Sequence, residues 1–189
     1  MLSLLLKMNK RLLAIFIFFL SLFLISKMFG IHEKISWSYI HGLLMENKFI
    51  SIVSYIVLFV FGNLVQIPGW VFLGGAVLAL GKFYGGLLTF LSALVSITVT
   101  FFIAKFIGKD ALTKIKSNYV KNLISKVNES PLKNMIIIRI IVQVFPPVNV
   151  ALALSGVSFS KYFIAVLIGL PIPLLGYCYM FEELFRYMK

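Results

Sequence analysis

Residues 139–156 read RIIVQVFPPVNVALALSG, and an earlier stretch, residues 63–75, reads NLVQIPGWVFLGG. Both put Val-Gln just ahead of proline: Val65-Gln66-Ile67-Pro68, then Val142-Gln143-Val144-Phe145-Pro146. Proline removes a backbone donor, clashes with the preceding helical turn and pushes the residue before it out of the α region. The adjacent pair Pro146 and Pro147 therefore predicts a broken helix within residues 135–157, although a stretch of that length could also cross a membrane once, as a kinked span. Unpaired backbone groups at such a break cannot face lipid and must be buried in protein or line a wet cavity. The expectation is two re-entrant hairpins that meet inside a membrane, with function between them.

Composition demands the membrane. The chain has 189 residues, 61% hydrophobic and 13% charged. A soluble domain of this length has too little interior to hide that much apolar surface. Its net charge of +12 would suggest nucleic acid in a soluble protein. Here the lysines flank apolar runs, so anionic headgroups and topology signalling account for them. The one cysteine, Cys178, excludes an internal disulfide and a cysteine-based metal cluster. His32 and His41 have no evident third ligand, so neither a metal nor a cofactor is expected.

Outward from the two breaks, the chain divides into segments. Lys7, Lys10 and Arg11 precede apolar residues 12–26, and no small-x-small cleavage site follows. This predicts an uncleaved first transmembrane helix with a cytoplasmic N-terminus, within a first unit of residues 1–47. In residues 30–47, Ile31, Ile35, Tyr39 and Leu43 recur every four positions, as in an interfacial helix, although an ordinary loop suits the stretch equally. Residues 49–80 would measure about 48 Å as one straight helix, against about 30 Å of hydrocarbon, so the run turns back at Pro68-Gly69. Residues 87–107 form a clean span whose Thr89, Ser92, Ser96, Thr98 and Thr100 suit close helix packing, with Lys105 snorkelling at its end. Residues 108–133 are lysine-rich and amphipathic, suited to an anionic leaflet. A last span covers residues 160–181, and residues 182–189 form a polar tail.

Charge orients these pieces. If the N-terminus is inside, the first hairpin (48–81) dips from outside, the span 84–107 returns, and the lysine-rich segment lies inside. The second hairpin (134–158) then dips from inside. The fold expected is an all-α integral membrane protein, with transmembrane helices and two facing re-entrant hairpins in an inverted repeat, as in many transporters.

The block IPGWVFLGGAVLALGKFYGG, the run FFIAKFIG, and RIIVQVFPPVN with LSGVSFSKYFIAVLIGLP resemble the DedA, or SNARE-associated Golgi protein, superfamily, whose members carry the VTT domain. The resemblance covers roughly residues 48–178 and is nearer to the Tvp-type branch than to the bacterial DedA branch. It implies facing re-entrant loops and a role in moving phospholipids or polyprenyl-phosphate carriers between leaflets. The chain departs from the pattern at Trp70, where the DedA branch has a carboxylate, and at Lys105, where arginine is common. It also has Val142 in place of a proline and Leu152 in place of an asparagine, for which Asn149 can substitute.

Three functions fit these residues. In the first, a lipid scramblase or flippase, Arg139 grips a phosphate bidentately. Gln143, Asn149 and Gln66 add neutral hydrogen bonds, Lys105 stands at the membrane edge, and Pro68, Gly69, Pro146 and Pro147 make the breaks. The competing reading is that Arg139 snorkels from the hairpin entrance, and that Asn63 and the other amides satisfy broken-helix backbone. The second function is an ion- or proton-coupled transporter of a small solute, weakened because every acidic residue and both histidines lie outside the apolar runs. The third is a non-catalytic assembly or trafficking factor. Hydrolase chemistry has no motif here. Membrane lipids with anionic headgroups are the expected partners, in a bacterial plasma membrane, with a homo-oligomer also compatible.

Overall fold

A computed structural model describes residues 10–45, 48–108, 125–142 and 146–187, and those residues are helical with short turns and no strand. The helices are α1 (Lys10–Met28), α2 (Ile31–Lys34), α3 (Trp37–Met45), α4 (Lys48–Leu64), α5 (Gly69–Gly108), α6 (Pro131–Val142), α7 (Pro146–Leu154), α8 (Phe159–Gly169) and α9 (Pro171–Tyr187). Two stretches, Gly69–Gly108 and Phe159–Tyr187, are long and apolar enough to cross a membrane. Phe106, Phe83 and Ile141 stand among many large apolar side chains exposed on the outside of the bundle, as lipid-facing residues must be.

The first break falls where proline and glycine predict it. At the end of α4 the N–H of Ile67 reaches the carbonyl of Gly62 at 2.7 Å, and that of Gln66 reaches Asn63 at 3.2 Å. This pair of bonds is the Schellman closure of a helix C-terminus, with Gln66 at its left-handed position. Pro68 then precedes Gly69, the first residue of α5. α4 and the start of α5 pack through Tyr55, Phe59 and Phe72, whose rings lie 5.1–6.2 Å apart.

α5 consists of two helical limbs joined at a kink. Gly81 sits inside it at φ 76, ψ 169, a conformation that a side chain resists and glycine accepts. The helix folds back there: a Cβ on Gly85 would lie 2.5 Å from the carbonyl oxygen of Ala76. In a straight helix those two residues would be separated by about 13 Å of rise. The limb after Gly81, residues 82–108, offers about 40 Å of helix at roughly 1.5 Å per residue, enough to cross. Its hydroxyls pack rather than form a conduit. Thr89 and Ser92 donate to carbonyls one turn back, and Thr89 also meets the Tyr55 hydroxyl of α4 at 2.7 Å.

A similar order recurs in the second half: α6, a break, α7, a left-handed glycine (Gly156, φ 90), then α8 and α9. The sequences around the two glycines are alike, Leu78-Ala79-Leu80-Gly81 against Leu152-Ala153-Leu154-Ser155-Gly156. Pro146 and Pro147 open α7, occupying first-turn positions where a missing N–H costs nothing. The residues that join α6 to α7, including Gln143, lie outside the described residues. So does most of the basic segment, residues 109–124.

One expectation needs correction. The four-residue stripe Ile31, Ile35, Tyr39, Leu43 is not one helical face, because the helix breaks at Ile35–Ser36 and its phase resets. Ile40 and Leu44 are buried instead, and Tyr39 is exposed. α3 packs one face inward: Trp37 and Ile40 press on Gly74 and Gly75 of α5, where any Cβ would collide with them. The polar tail is helical through Tyr187, which the sequence reading left open. Phe181 and Phe185 stack 5.9 Å apart, and both meet the edge of Trp37. EELFRY reads as polar by composition, but its Phe185 lies four residues after Phe181 and shares its helical face.

Candidate functional site

Arg139 is the one residue of the second break whose charge must be accounted for. It lies near the end of α6 and is 0% exposed. Its Nη1 donates to the Oδ1 of Asn149, in α7, so the pair bridges the break. The guanidinium carbon sits 4.9 Å from the centroid of the Tyr162 ring of α8, a cation–π geometry. Tyr162 in turn packs on Phe101 of α5 at 4.9 Å. Three helices therefore close on this one side chain. Gly169 completes the seal, since a Cβ there would lie 2.7 Å from the Arg139 Cβ and 2.9 Å from the Ile136 carbonyl. A desolvated guanidinium is costly, and a hydrogen-bond acceptor plus an aromatic face offset part of that cost.

Arg139 thus does not snorkel to the surface. Asn149, 1% exposed, does not cap broken backbone with its Oδ1; that oxygen accepts from Arg139. Gln143, expected one turn further in, lies outside the described residues. The arginine, the asparagine and the tyrosine are brought together, and the sequence reading did not include Tyr162. An aromatic in an apolar run is ordinary core. The only signal was its place seven residues before Gly169, on one helical face.

The first break is built differently. Gln66 is half-buried and holds φ 70, the one non-glycine residue with positive φ among the described residues. That conformation costs a side-chain-bearing residue about 1 kcal/mol or more. Asn63 is 2% exposed, and neither its Nδ2 nor its Oδ1 makes a hydrogen bond. Its side chain was expected to satisfy the broken backbone. Its own backbone carbonyl does that instead, by accepting from Gln66. Pro68 is exposed beside Trp70, which meets Trp37 edge-on at 6.1 Å.

Lys105 reaches the Arg139 cluster through Phe101, whose ring packs on Tyr162. Its Nζ lies 6.0 Å from the Phe101 ring, near the end of α5, and the residue is half-buried. Among the described residues no group of three His, Cys, Asp or Glu side chains could hold a metal.

Two apolar stretches of crossing length, with helix breaks and a buried arginine at one of them, suit a membrane protein. The VTT domain model matches residues 67–183, from the first break to the middle of α9. The chain belongs to the VTT-domain family, the DedA/SNARE-associated Golgi family of membrane proteins. No curated protein and no solved structure matches it.

Proposed function

We propose that this protein moves lipids or lipid-linked phosphates between leaflets, through a site between two re-entrant hairpins that form an inverted repeat. The observation that carries this reading is the Arg139–Asn149 pair across the second break. A fork of donors beside a helix break suits a phosphate, which the guanidinium binds in two places. In the closed arrangement Asn149 occupies one arm of that fork. The headgroup takes its place when α6 and α7 part, with Gln143 and Gln66 adding neutral donors and Lys105 receiving the lipid at the edge. Asn63 supports a polar route on the facing side, because its amide holds unused hydrogen-bond capacity next to Gln66.

Gln66 supplies a test that separates function from folding. Gln66→Gly relieves the left-handed strain and is expected to raise stability by up to about 1 kcal/mol. If the amide serves passing headgroups, lipid movement falls several-fold in the same sample. Reconstitution into liposomes with a fluorescent-lipid accessibility assay measures movement, and thermal unfolding in detergent measures stability. Unchanged movement by Gln66→Gly removes Gln66 from the route. No movement by the wild type sinks the transport reading.

The inverted topology has its own support. Lys82, just after Gly81, pairs with Glu182 of α9 at 2.7 Å, and at the other end of α5 Phe102 meets Phe159 of α8 at 5.1 Å. Each hairpin mouth thus neighbours the far end of the other unit's span. In a Cys178→Ser background, single cysteines at the exposed Ser130 and Ser158 should label from the cytoplasmic side, and one at Ser36 from the outside. Labelling of Ser130 and Ser158 from opposite sides would mean that the second hairpin crosses, and the inverted repeat fails. We further propose a cytoplasmic N-terminus and a bacterial plasma membrane.

A further inference from the structure

The two ends of the bundle differ in how their charges are answered. At the Lys82 end, two cations have carboxylate partners: Lys82 with Glu182 at 2.7 Å, and Arg186 with Glu183 at 3.0 Å. Lys82 also lies 4.4 Å from the Tyr179 ring centroid. The opposite end, about 35 Å along α5, is different. There the Nδ2 of Asn128 donates to the Ser155 carbonyl at 3.5 Å, and that of Asn134 to the Lys126 carbonyl at 2.5 Å. Phe159 packs on Phe101 and Phe102 at 5.3 and 5.1 Å. These contacts gather Lys126, Lys133 at the start of α6, and Lys161 at the start of α8 around the mouth of the second hairpin. All three are exposed, and among the described residues none forms an ion pair. Glu129 is the one carboxylate among described residues 125–161.

Exposed Ile137 and Ile164 lie about one helical turn inboard of Lys133 and Lys161, and exposed Phe102 is level with Phe159 at this mouth. Apolar side chains below and ammonium groups above match the section of a leaflet from acyl chain to headgroup. α6 and α8 both begin at this mouth, so the positive ends of their dipoles add to the field.

We propose that Lys126, Lys133 and Lys161 form a loading collar for an anionic phospholipid headgroup at the mouth of the second hairpin. The collar deepens the transport reading and rests on it for its purpose: it selects which lipids reach Arg139, six residues or about 9 Å of rise further along α6 than Lys133. The occupant is a lipid rather than a free phosphate, because the lysines sit over an apolar ledge that a free anion does not use. Selection is electrostatic, so it weakens with salt.

The test is lipid selectivity at equilibrium, independent of transport. Full-length protein goes into phosphatidylcholine vesicles carrying spin-labelled phosphatidylglycerol or spin-labelled phosphatidylcholine, and the motionally restricted fraction of each label is measured. The wild type is expected to hold the anionic label several-fold more strongly. Lys126→Gln/Lys133→Gln/Lys161→Gln should bring the two labels to parity, and raised salt should do so partly. Equal selectivity in wild type and triple variant would overturn the collar, as would a wild type with no selectivity. Loss of selectivity on adding glycerol phosphate at fixed ionic strength would show a free-phosphate site and overturn the lipid assignment. A triple variant that does not fold is replaced by Lys133→Gln and Lys161→Gln separately, each of which should lose part of the preference. Lysine-dependent selectivity in a protein that moves no lipid would retain the collar and end the transport reading.

Discussion

Gly85→Ala is expected to destabilise the protein by about 1–3 kcal/mol, the usual result of overpacking a tight contact. The new methyl would lie 2.5 Å from the Ala76 carbonyl oxygen, 2.6 Å from its carbon and 2.7 Å from the Val77 nitrogen. All three are backbone atoms of the opposing limb, so no side chain can swing aside. The two limbs of α5 must separate, and Thr89, one turn further on, loses its bond to Tyr55. Alanine is the better helix former by about 1 kcal/mol, which works against this loss and makes its sign informative. Gly176→Ala is the control, because nothing lies within 4 Å of the added carbon. It should keep or gain up to about 1 kcal/mol. Thermal unfolding of both proteins in one detergent decides the matter. Shifts of the same sign would mean that the limbs do not pack at Gly85.

Arg139 and Asn149 should behave as a unit. Arg139→Met alone leaves the Asn149 oxygen buried without its donor, which costs about 1–3 kcal/mol. Asn149→Leu alone takes the acceptor from a buried guanidinium, a change that costs about 3–5 kcal/mol when a charge is the group deprived. The double variant Arg139→Met/Asn149→Leu replaces both with apolar groups, and such exchanges are often neutral. It is expected to fold within about 1 kcal/mol of the wild type and to move lipid poorly, because the phosphate has lost its fork. Arg139→Lys keeps the charge without the fork and should retain part of the activity. Normal lipid movement by the double variant would end the phosphate assignment and leave the pair as a structural bridge.

The fold was legible wherever chemistry acts locally. Pro68-Gly69 and Pro146-Pro147 state their breaks in sequence, since proline acts on its own turn and the one before. Gly81 was harder, because Gly85 and Gly86 lie close by and nothing local distinguishes the glycine with positive φ from the two that permit close packing. Thr89, Ser92 and Thr98 of α5 act as packing groups, since Ser and Thr in an apolar helix can return their proton to the preceding turn. The buried Ser96 hydroxyl, by contrast, has no partner among the described residues. The Arg139–Asn149 bridge could not be read, because its partners are ten residues apart across a break and share no helical periodicity. Tyr162 was hidden for a similar reason: its role comes from the packing of α8 on α6, which Gly169 permits. The register of α3 failed because one unpredicted bend at Ile35–Ser36 shifts every later position.

Gly81 leaves no slack between the two limbs it joins, since the helix resumes at the next residue. An inserted residue there would rotate everything downstream by about 100°, swinging Thr89 away from Tyr55 and Gly85 off the backbone it rests on. The matching joint in the second half has four non-helical residues, Ser155 to Ser158, which can absorb a change of length. The first unit is therefore geared and the second sprung. Over many generations, gains and losses of single residues should accumulate at the second joint and be refused at the first.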